Sequence, residues 1–325
     1  MDAVDRITPA LRLGERVVVR YRLPDGSATD VVGWLEIIDS ERLTARDGRG
    51  QLVEVVRTMI VAARRAPPAR GGQDPMRTSA DELERVALPA WVAYSEPLGE
   101  WTLRAAGGFT GRANSCLSVG DPGTQMAEAA ERVMAFSRQH GIAPMAQVIA
   151  GSEPERHLVA LGWEEVHVAA DVLVTRLNAL LEATAGDPAV QFSERLQPAW
   201  FDAFQRSRPS DANPQVVHFV LENNPPLAFA GVEHGDRLLA IGRAQVTRDW
   251  VGIAALWTDP QERGRGWATK IMNRLGHWAA RFGARNVYLQ VATGNEAALR
   301  ACSRAGFVRH HSYRYLGPSR DSWQH

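Results

Sequence analysis

The segment with the clearest chemical potential is the glycine-rich loop Arg263-Gly264-Arg265-Gly266-Trp267-Ala268. It lies between a strand-like segment ending at Thr258 and a helical pattern rich in Ala, Ile, Met and Leu. Glycines let the backbone approach a phosphate without an intervening Cβ, and the first amides of a helix have no intrahelical acceptor. The helix dipole and the two arginines add positive potential at the same point. We therefore predict that this loop binds a pyrophosphate.

Two more common phosphate-binding loops do not fit this segment. A Walker loop ends in Gly-Lys-Ser/Thr, and no such ending is present. A dinucleotide fingerprint requires a third glycine within a βαβ unit of parallel strands. Here the third glycine is missing, and the preceding segments resemble antiparallel strands.

The sequence around the loop resembles motif A of the GNAT acetyltransferase superfamily, whose pattern is Arg/Gln-x-x-Gly-x-Gly/Ala. Arg263, Gly266 and Ala268 fill that pattern, and Pro260 precedes it as in the family. The segment NEAALRACSRAGF (295–307) resembles motif B, matching it at Asn295, Ala298, Gly306 and Phe307. The resemblance covers 188–317 well and 90–178 faintly. With its N-terminal barrel and paired domains, the chain also resembles a bacterial subgroup of GNAT proteins.

The resemblance implies acetyl-CoA as the cofactor and a direct attack by a deprotonated amine in a ternary complex. It implies that the 256–258 strand pairs with the pantetheine arm and that Asn295 bonds the pantetheine or sulfur region. The amides of the 264–269 segment would hold the pyrophosphate. The implied cofactor-binding residues are Leu256, Trp257, Thr258, Arg263, Gly264, Arg265, Gly266, Trp267, Ala268, Thr269, Asn295, Ala298 and Cys302.

The general acid and base are not assigned by these motifs. Many members have a Tyr where this chain has Cys302, and a thiol with a pKa near 8.5 could donate a proton, although an inert buried Cys is the alternative. Relatives that acetylate protein N-termini have a Glu five residues before the motif B Asn. Here that residue is Gln290, which cannot act as a base.

Other candidates come from the surrounding segments. Glu222, Glu233 and His234 are candidate bases, with a solvated surface role as the alternative for each. Alternation along the last strand places His311, Tyr313 and Tyr315 on one face, either as a packed aromatic stripe or with Tyr313 as an acid. The catalytic candidates are Cys302, Tyr313 and Glu222. We predict no metal site, because no metal-ligand spacing is present.

Charge and composition restrict the partners. The 37 basic residues balance 37 acidic ones, which argues against broad capture of nucleic acid. No stretch approaches the roughly 18 apolar residues of a membrane span, and the charged start of the chain is unlike a signal peptide. Two cysteines are too few for a disulfide framework. We predict a cytoplasmic protein that does not bind membranes and for which nucleic acid is a disfavoured partner.

The fold class expected is α/β (α+β), with tandem GNAT-like folds of mixed sheets behind a small all-β, SH3-like barrel. Hairpin turns at 24–27 and 47–50 indicate the barrel, and the Pro- and Gly-rich 66–80 segment has linker composition. The predicted boundaries are 1–65 for the barrel, 66–80 for the linker, 81–180 for a degenerate GNAT-like domain and 181–325 for the GNAT domain. The barrel is structural or binds a peptide or nucleic acid.

A sequence repeat supports the tandem arrangement. The segments 157–174 and 301–316 align so that Gly162-Trp163 falls on Gly306-Phe307. The alternative is that any two βαβ units resemble each other. At that offset Gly266 falls on Pro122, which we predict to open a helix, with Asp121 as its cap, that runs to about His140. A proline without an N–H beside an acid predicts that the first repeat does not bind a nucleotide as the second does.

The function best supported by these patterns is N-acetylation of a small-molecule or protein amine. The alternative is a non-catalytic acyl-CoA sensor or adaptor, which the missing Tyr and Glu favour. A third hypothesis is that the barrel tethers the protein to nucleic acid. The acceptor is not specified, and a homodimer is left open.

Overall fold

The computed structural model describes residues 11, 16–47, 51–66, 74–235 and 237–319. These residues form a five-stranded sheet near the start of the chain and an eleven-stranded sheet with helices on both faces. Within these ranges no helix is both long and apolar enough to cross a membrane.

The small sheet is antiparallel throughout and has the order β4-β3-β2-β1-β5. Its inward residues, among them Val17, Val19, Leu35 and Leu43, are fully buried, so it has its own core. The predicted turn at 24–27 joins β1 to β2, whereas most of the predicted 47–50 turn and of the 66–80 linker lies outside the described residues. The strands are β1 (Arg16–Arg22), β2 (Ala28–Ile38), β3 (Arg42–Asp47), β4 (Leu52–Val56) and β5 (Ile60–Arg65).

The large sheet has the order β11-β12-β13-β14-β15-β10-β16-β9-β8-β7-β6. Its strands are β6 (Tyr94–Leu98), β7 (Trp101–Ala105), β8 (Cys116–Leu117), β9 (Ala146–Ile149), β10 (Trp163–Arg176), β11 (Val190–Ser193), β12 (Leu227–His234), β13 (Arg237–Thr247), β14 (Trp250–Thr258), β15 (Asn286–Ala292) and β16 (Val308–Pro318). The helices are α1 (Ala80–Ala87), α2 (Met126–Gln139), α3 (Glu153–Ala160), α4 (Leu177–Ala183), α5 (Pro198–Ser207), α6 (Pro214–Glu222), α7 (Trp267–Ala280) and α8 (Glu296–Arg304).

The large sheet contains one order of elements twice. The first repeat runs β6-β7-β8-α2-β9-α3-β10, and the second runs β12-β13-β14-α7-β15-α8-β16. In both repeats the first three strands are antiparallel neighbours, and the third pairs in parallel with the fourth. The topology therefore agrees with the repeat expected from the sequence.

The final strands of the two repeats are exchanged. β10 of the first repeat lies between β15 and β16 of the second, and β16 lies between β10 and β9. Residues 170–174 of β10 pair on one edge with β15 and on the other with β16, and Val172 and Val174 are buried there. The sheet is thus continuous across the predicted 180/181 boundary.

The predicted start of the first-repeat helix is wrong. α2 begins at Met126, because the Asp121 Oδ1 accepts a hydrogen bond from the Gly123 amide at 2.8 Å and Gly123 has a left-handed φ of 73°. The chain therefore turns at Asp121-Pro122 instead of starting a helix there. Consequently Gly266, which precedes α7, corresponds to Gln125 and not to Pro122.

Two different layers cover the second repeat. α7 packs on one face, where an added Cβ at Gly242 would lie 2.6 Å from Ile271. On the opposite face α5 and α6 share a core with Trp91 and Phe109 of the preceding segment. The sequence did not predict α1, β6 or α4, which are short and lie within or beside longer predicted segments.

Candidate active site

A cleft opens in the sheet where β14 and β15 separate. The two strands pair in parallel only from Trp250–Ile253 against Asn286–Leu289. Beyond that point β14 continues beside β13 to Thr258, and β15 continues beside β10 to Ala292. The two facing strand edges therefore leave backbone N–H and C=O groups that an extended ligand can bond.

A β-bulge shapes the β14 side of the cleft. Arg243 pairs with Ala254 and Ile241 pairs with Trp257, so β14 carries one extra residue there. Ala255 adopts a φ of 55°, which is uncommon for a residue with a Cβ. Such bulges bend a strand and redirect its edge. Leu256, Trp257 and Thr258, the predicted pantetheine-binding strand, come directly after this bend.

The glycine loop brings an uncapped helix start to the same end of β14. Gly266 is the N-cap of α7 with a φ of 75°, and no side chain caps the helix. Side chains cap four helices, α1, α3, α6 and α8, whereas α2, α4 and α5 are uncapped like α7. Nothing lies within 4 Å of an added Cβ at Gly264, whose φ of 81° also favours glycine. The amides of 267–269 are thus free to bind an anion.

The charges around this helix start are mostly basic. Arg265 lies 3.1 Å from Glu262 but remains exposed, and the first turn of α7 has no acidic residue. Lys270 is directed elsewhere, with its Nζ 2.8 Å from Asp187 and 4.1 Å from the centre of the Trp267 ring. The hydrogen bond from Lys270 is the main reason that the pKa of Asp187 is lowered. Arg263 and Arg265 are both exposed beside the start of α7, and their role toward a phosphate stays a prediction.

The residues of α8 have partners of their own. The Asn295 Oδ1 accepts a hydrogen bond from the Ala298 amide at 3.1 Å and so caps the helix. Cys302 is buried among apolar side chains, and burial raises its pKa to about 11. An ordinary thiol has a pKa of about 8.5, so proton transfer from Cys302 to a thiolate is unfavourable. The predicted roles of Asn295 and Cys302 stay predictions.

Gln290 lies at the first position of β15 beyond its last pairing with β14. Its Oε1 accepts a hydrogen bond of 2.5 Å from Arg112 Nη1, and the Arg112 guanidinium lies 4.1 Å from the centre of the Trp91 ring. Arg112 belongs to the first repeat. Sequence reasoning missed it, because nothing local to the 107–114 loop indicates a contact 178 positions away.

The structure does not bring Glu222 or Tyr313 to the cleft. The Glu222 Oε1 accepts a hydrogen bond from the Leu196 amide at 2.8 Å and so fastens the start of α5. Tyr313 is buried beside Tyr315, and desolvation raises its pKa. β10 separates its strand from β15. The predicted common face is confirmed, since His311 also points inward, with its Nε2 2.9 Å from Glu84.

The remaining candidates are peripheral. Glu233 and His234 are exposed at the end of β12. Across the described ranges, no three His, Cys, Asp or Glu side chains are grouped to hold a metal ion.

Comparison with known proteins identifies relatives for nearly all of the chain. Residues 79–316 match the family described as "Probable histone acetyltransferase Rv0428c C-terminal". Residues 11–64 match "Rv0428c N-terminal Sm-like domain", so the expected SH3-like identity is not confirmed.

Individual relatives are also named as acetyltransferases. The probable histone acetyltransferase Rv0428c of Mycobacterium tuberculosis is 28% identical over 327 residues, covering 96% of this chain and 97% of the relative. The uncharacterized N-acetyltransferase YobR of Bacillus subtilis is 27% identical, covering 72% of this chain and 97% of the relative. A GCN5-related N-acetyltransferase from Kribbella flavida has a similar fold, with a TM-score of 0.55 at 15% identity over 75% of this chain and 96% of the other.

Proposed function

This chain belongs to the GNAT family of N-acetyltransferases, and on that premise we propose that it moves an acetyl group from acetyl-CoA to a primary amine. Membership makes it an acyltransferase. The observation that supports the finer proposal is the cleft between β14 and β15, which opens beside the uncapped start of α7.

The residues of this region fit coenzyme A. The amides of 264–269, with Arg263 and Arg265, would hold the pyrophosphate, because they combine free donors with positive charge. The free edge of β14 at Leu256–Thr258 would bond the pantetheine amides. Bound acetyl-CoA would supply an acyl thioester.

In the proposed reaction the amine nitrogen attacks the thioester carbonyl carbon. A C–N bond forms, the C–S bond breaks, and the proton lost by the amine is balanced by one gained by the sulfur. Gln290 is positioned beside the cleft but cannot take that proton, so it orients groups and does not act as a base. The rate should therefore rise with pH as the acceptor amine itself loses its proton.

The acceptor is a small-molecule or protein amine in this proposal. One relative is named a probable histone acetyltransferase, which makes a basic protein tail one acceptor to test. The second candidate function is a non-catalytic acyl-CoA sensor. It is favoured by Cys302 and Gln290, which stand where an acid and a base are found in active relatives.

Calorimetry with acetyl-CoA, followed by a thiol-release assay with a panel of amines, tests the proposal. We expect one binding site per chain, in the second repeat, and thiol release that depends on the added amine. Binding without release from any amine would favour the sensor. Absence of binding would overturn both, provided that circular dichroism shows a folded protein.

A further inference from the structure

Three arginines converge on the face of the cleft opposite α7. The guanidinium groups of Arg112 and Arg243 both lie over the Trp91 ring, with their Cζ atoms 4.1 and 5.4 Å from its centre. Arg208, which follows α5 and is exposed, is the third: its Cζ lies 5.6 Å from the centre of the Phe204 ring, and Phe204 belongs to the same core as Trp91. Desolvation, and then the nearby charge of Arg112, lower the pKa of both Arg208 and Arg243. These like charges repel one another at short range.

This cluster has no acidic partner among the described residues. Arg243 is only 1% exposed, its Nε donates to the Leu221 carbonyl at 2.9 Å, and its Nη2 has no hydrogen-bond partner. The buried acid Glu84 has other partners, since it accepts a hydrogen bond from Gln147 and lies 2.9 Å from His311. Burying a charge without a partner costs several kcal/mol or more. An anion bound at this point would remove that cost.

The cluster borders the point where β14 and β15 separate. Arg112 holds Gln290 at the point where β15 leaves β14, and Arg243 pairs with Ala254 just before the bulge. Gly242 faces α7, so the next residue, Arg243, points to the opposite face. The arginines therefore border both sides of the opening and leave the α7 side to the pyrophosphate.

We propose that the acceptor is a small amine that carries a carboxylate, as an amino acid does, and that Arg112, Arg208 and Arg243 bind this carboxylate. The inference rests on the proposed acetyl transfer and names its substrate class. A guanidinium fork matches a carboxylate in a bidentate manner. Because Arg243 is buried beneath Trp91, only a small group reaches it. A lysine-rich protein tail would be repelled by the three positive charges.

The test compares the standard amino acids with their carboxamides, in which the charge is removed and the amine is kept. Each KM is expressed in the concentration of the deprotonated amine, because removal of the carboxylate also lowers the pKa of the amine. We expect a KM for the best amino acid that is roughly tenfold to a hundredfold lower than for its amide, the usual effect of charge-assisted hydrogen bonds. The kcat values should differ less, because the carboxylate does not react.

The variants are Arg112→Gln and Arg208→Gln, which replace a half-buried and an exposed residue and avoid the fully buried Arg243. Each should bring the KM ratio toward one, and Arg112→Lys should restore part of it by keeping the charge. Arg206→Gln is the matched control, because Arg206 is an exposed arginine of α5 two positions before Arg208. It should leave the ratio unchanged.

Equal KM values for acids and amides, or a lower KM for a basic histone-like peptide, would overturn the inference while leaving acetyl transfer established. If no amine is acetylated, amino-acid binding followed by NMR still decides the point. Binding that is lost in Arg112→Gln supports the carboxylate site without catalysis. No binding by any amino acid overturns it.

Discussion

The two repeats share their order of elements and their strand pairings, yet they differ at the start of the helix after the third strand. In the second repeat that start carries Arg263, Gly264 and Arg265 and is uncapped. In the first repeat α2 is also uncapped, but Glu128 lies in its first turn. The cavity of about 630 Å³ beside it is lined by residues that include Asp81, Asp121 and Glu153.

On the function proposed above, we infer that both repeats have an uncapped helix start and that local charge decides whether it binds an anion. An exposed helix start attracts a phosphate only if nearby side chains do not repel it. We expect the second repeat alone to bind coenzyme A. Four experiments test this difference between the repeats.

The largest effect should come from cutting the chain at the predicted boundary. Residues 181–325 alone lack β10, so β15 loses a neighbour along its whole length and β16 loses both of its own. We expect this fragment not to fold, as measured by circular dichroism and size-exclusion chromatography. Cooperative unfolding of a monomeric fragment would show that the exchanged strands are dispensable.

A pair of glycines with similar backbone conformation, one in the loop before each helix, allows the two loops to be compared. Gly266→Asp and Gly123→Asp both place a carboxylate at a left-handed residue, so both should lose about 1–2 kcal/mol of stability. Only Gly266→Asp should weaken acetyl-CoA binding, by roughly a hundredfold, because charged hydrogen bonds to the amides are replaced by repulsion. Equal loss of affinity in the two variants would contradict a site confined to the second repeat.

Charge reversal should have a smaller effect. Arg263→Glu is expected to weaken acetyl-CoA binding about tenfold, and to do so less at high salt, since the residue lies near the surface. Asp121→Arg in the first repeat should create no second binding site in calorimetry, because Asp81 and Glu153 remain. A stoichiometry of two for Asp121→Arg would mean that one charge separates the repeats.

The two cysteines should affect activity least. Burial raises the pKa of Cys302 to about 11 and that of Cys116 to about 12, whereas an unfolded thiol ionises near 8.5. Between these values the unfolded chain binds fewer protons than the folded one. The contribution of the two thiols to the free energy of unfolding is therefore fully present below pH 8.5 and is lost as pH rises toward 11 or 12.

We expect Cys302→Ala and Cys116→Ala each to lessen this alkaline loss in urea titrations at several pH values. Acetyl transfer at pH 7.5 should stay within about twofold of the wild-type rate, as an inert buried thiol predicts. A general acid contributes roughly 10²–10⁴-fold. A loss of that size in Cys302→Ala alone would instead identify this thiol as the acid.

The sequence predicted most elements of the second repeat and its glycine loop, because amphipathic patterns and the two motifs are local signals. It mistook Asp121-Pro122 for a helix start, since an Asx turn and an N-cap use the same residue types. The exchange of β10 and β16 was not predictable from pattern, because alternation fixes which face a strand buries and not which strand lies beside it. Arg112 was missed for the same reason.

The exchanged strands also govern how the protein can be made. β16 is translated after every other strand of the large sheet, and it inserts between β9 and β10, which are complete well over a hundred residues earlier. Domains are normally finished one after another during synthesis. Here three strand edges of the first repeat, both edges of β10 and one of β9, pair only with strands of the second, so we expect the nascent chain to need protection of those edges.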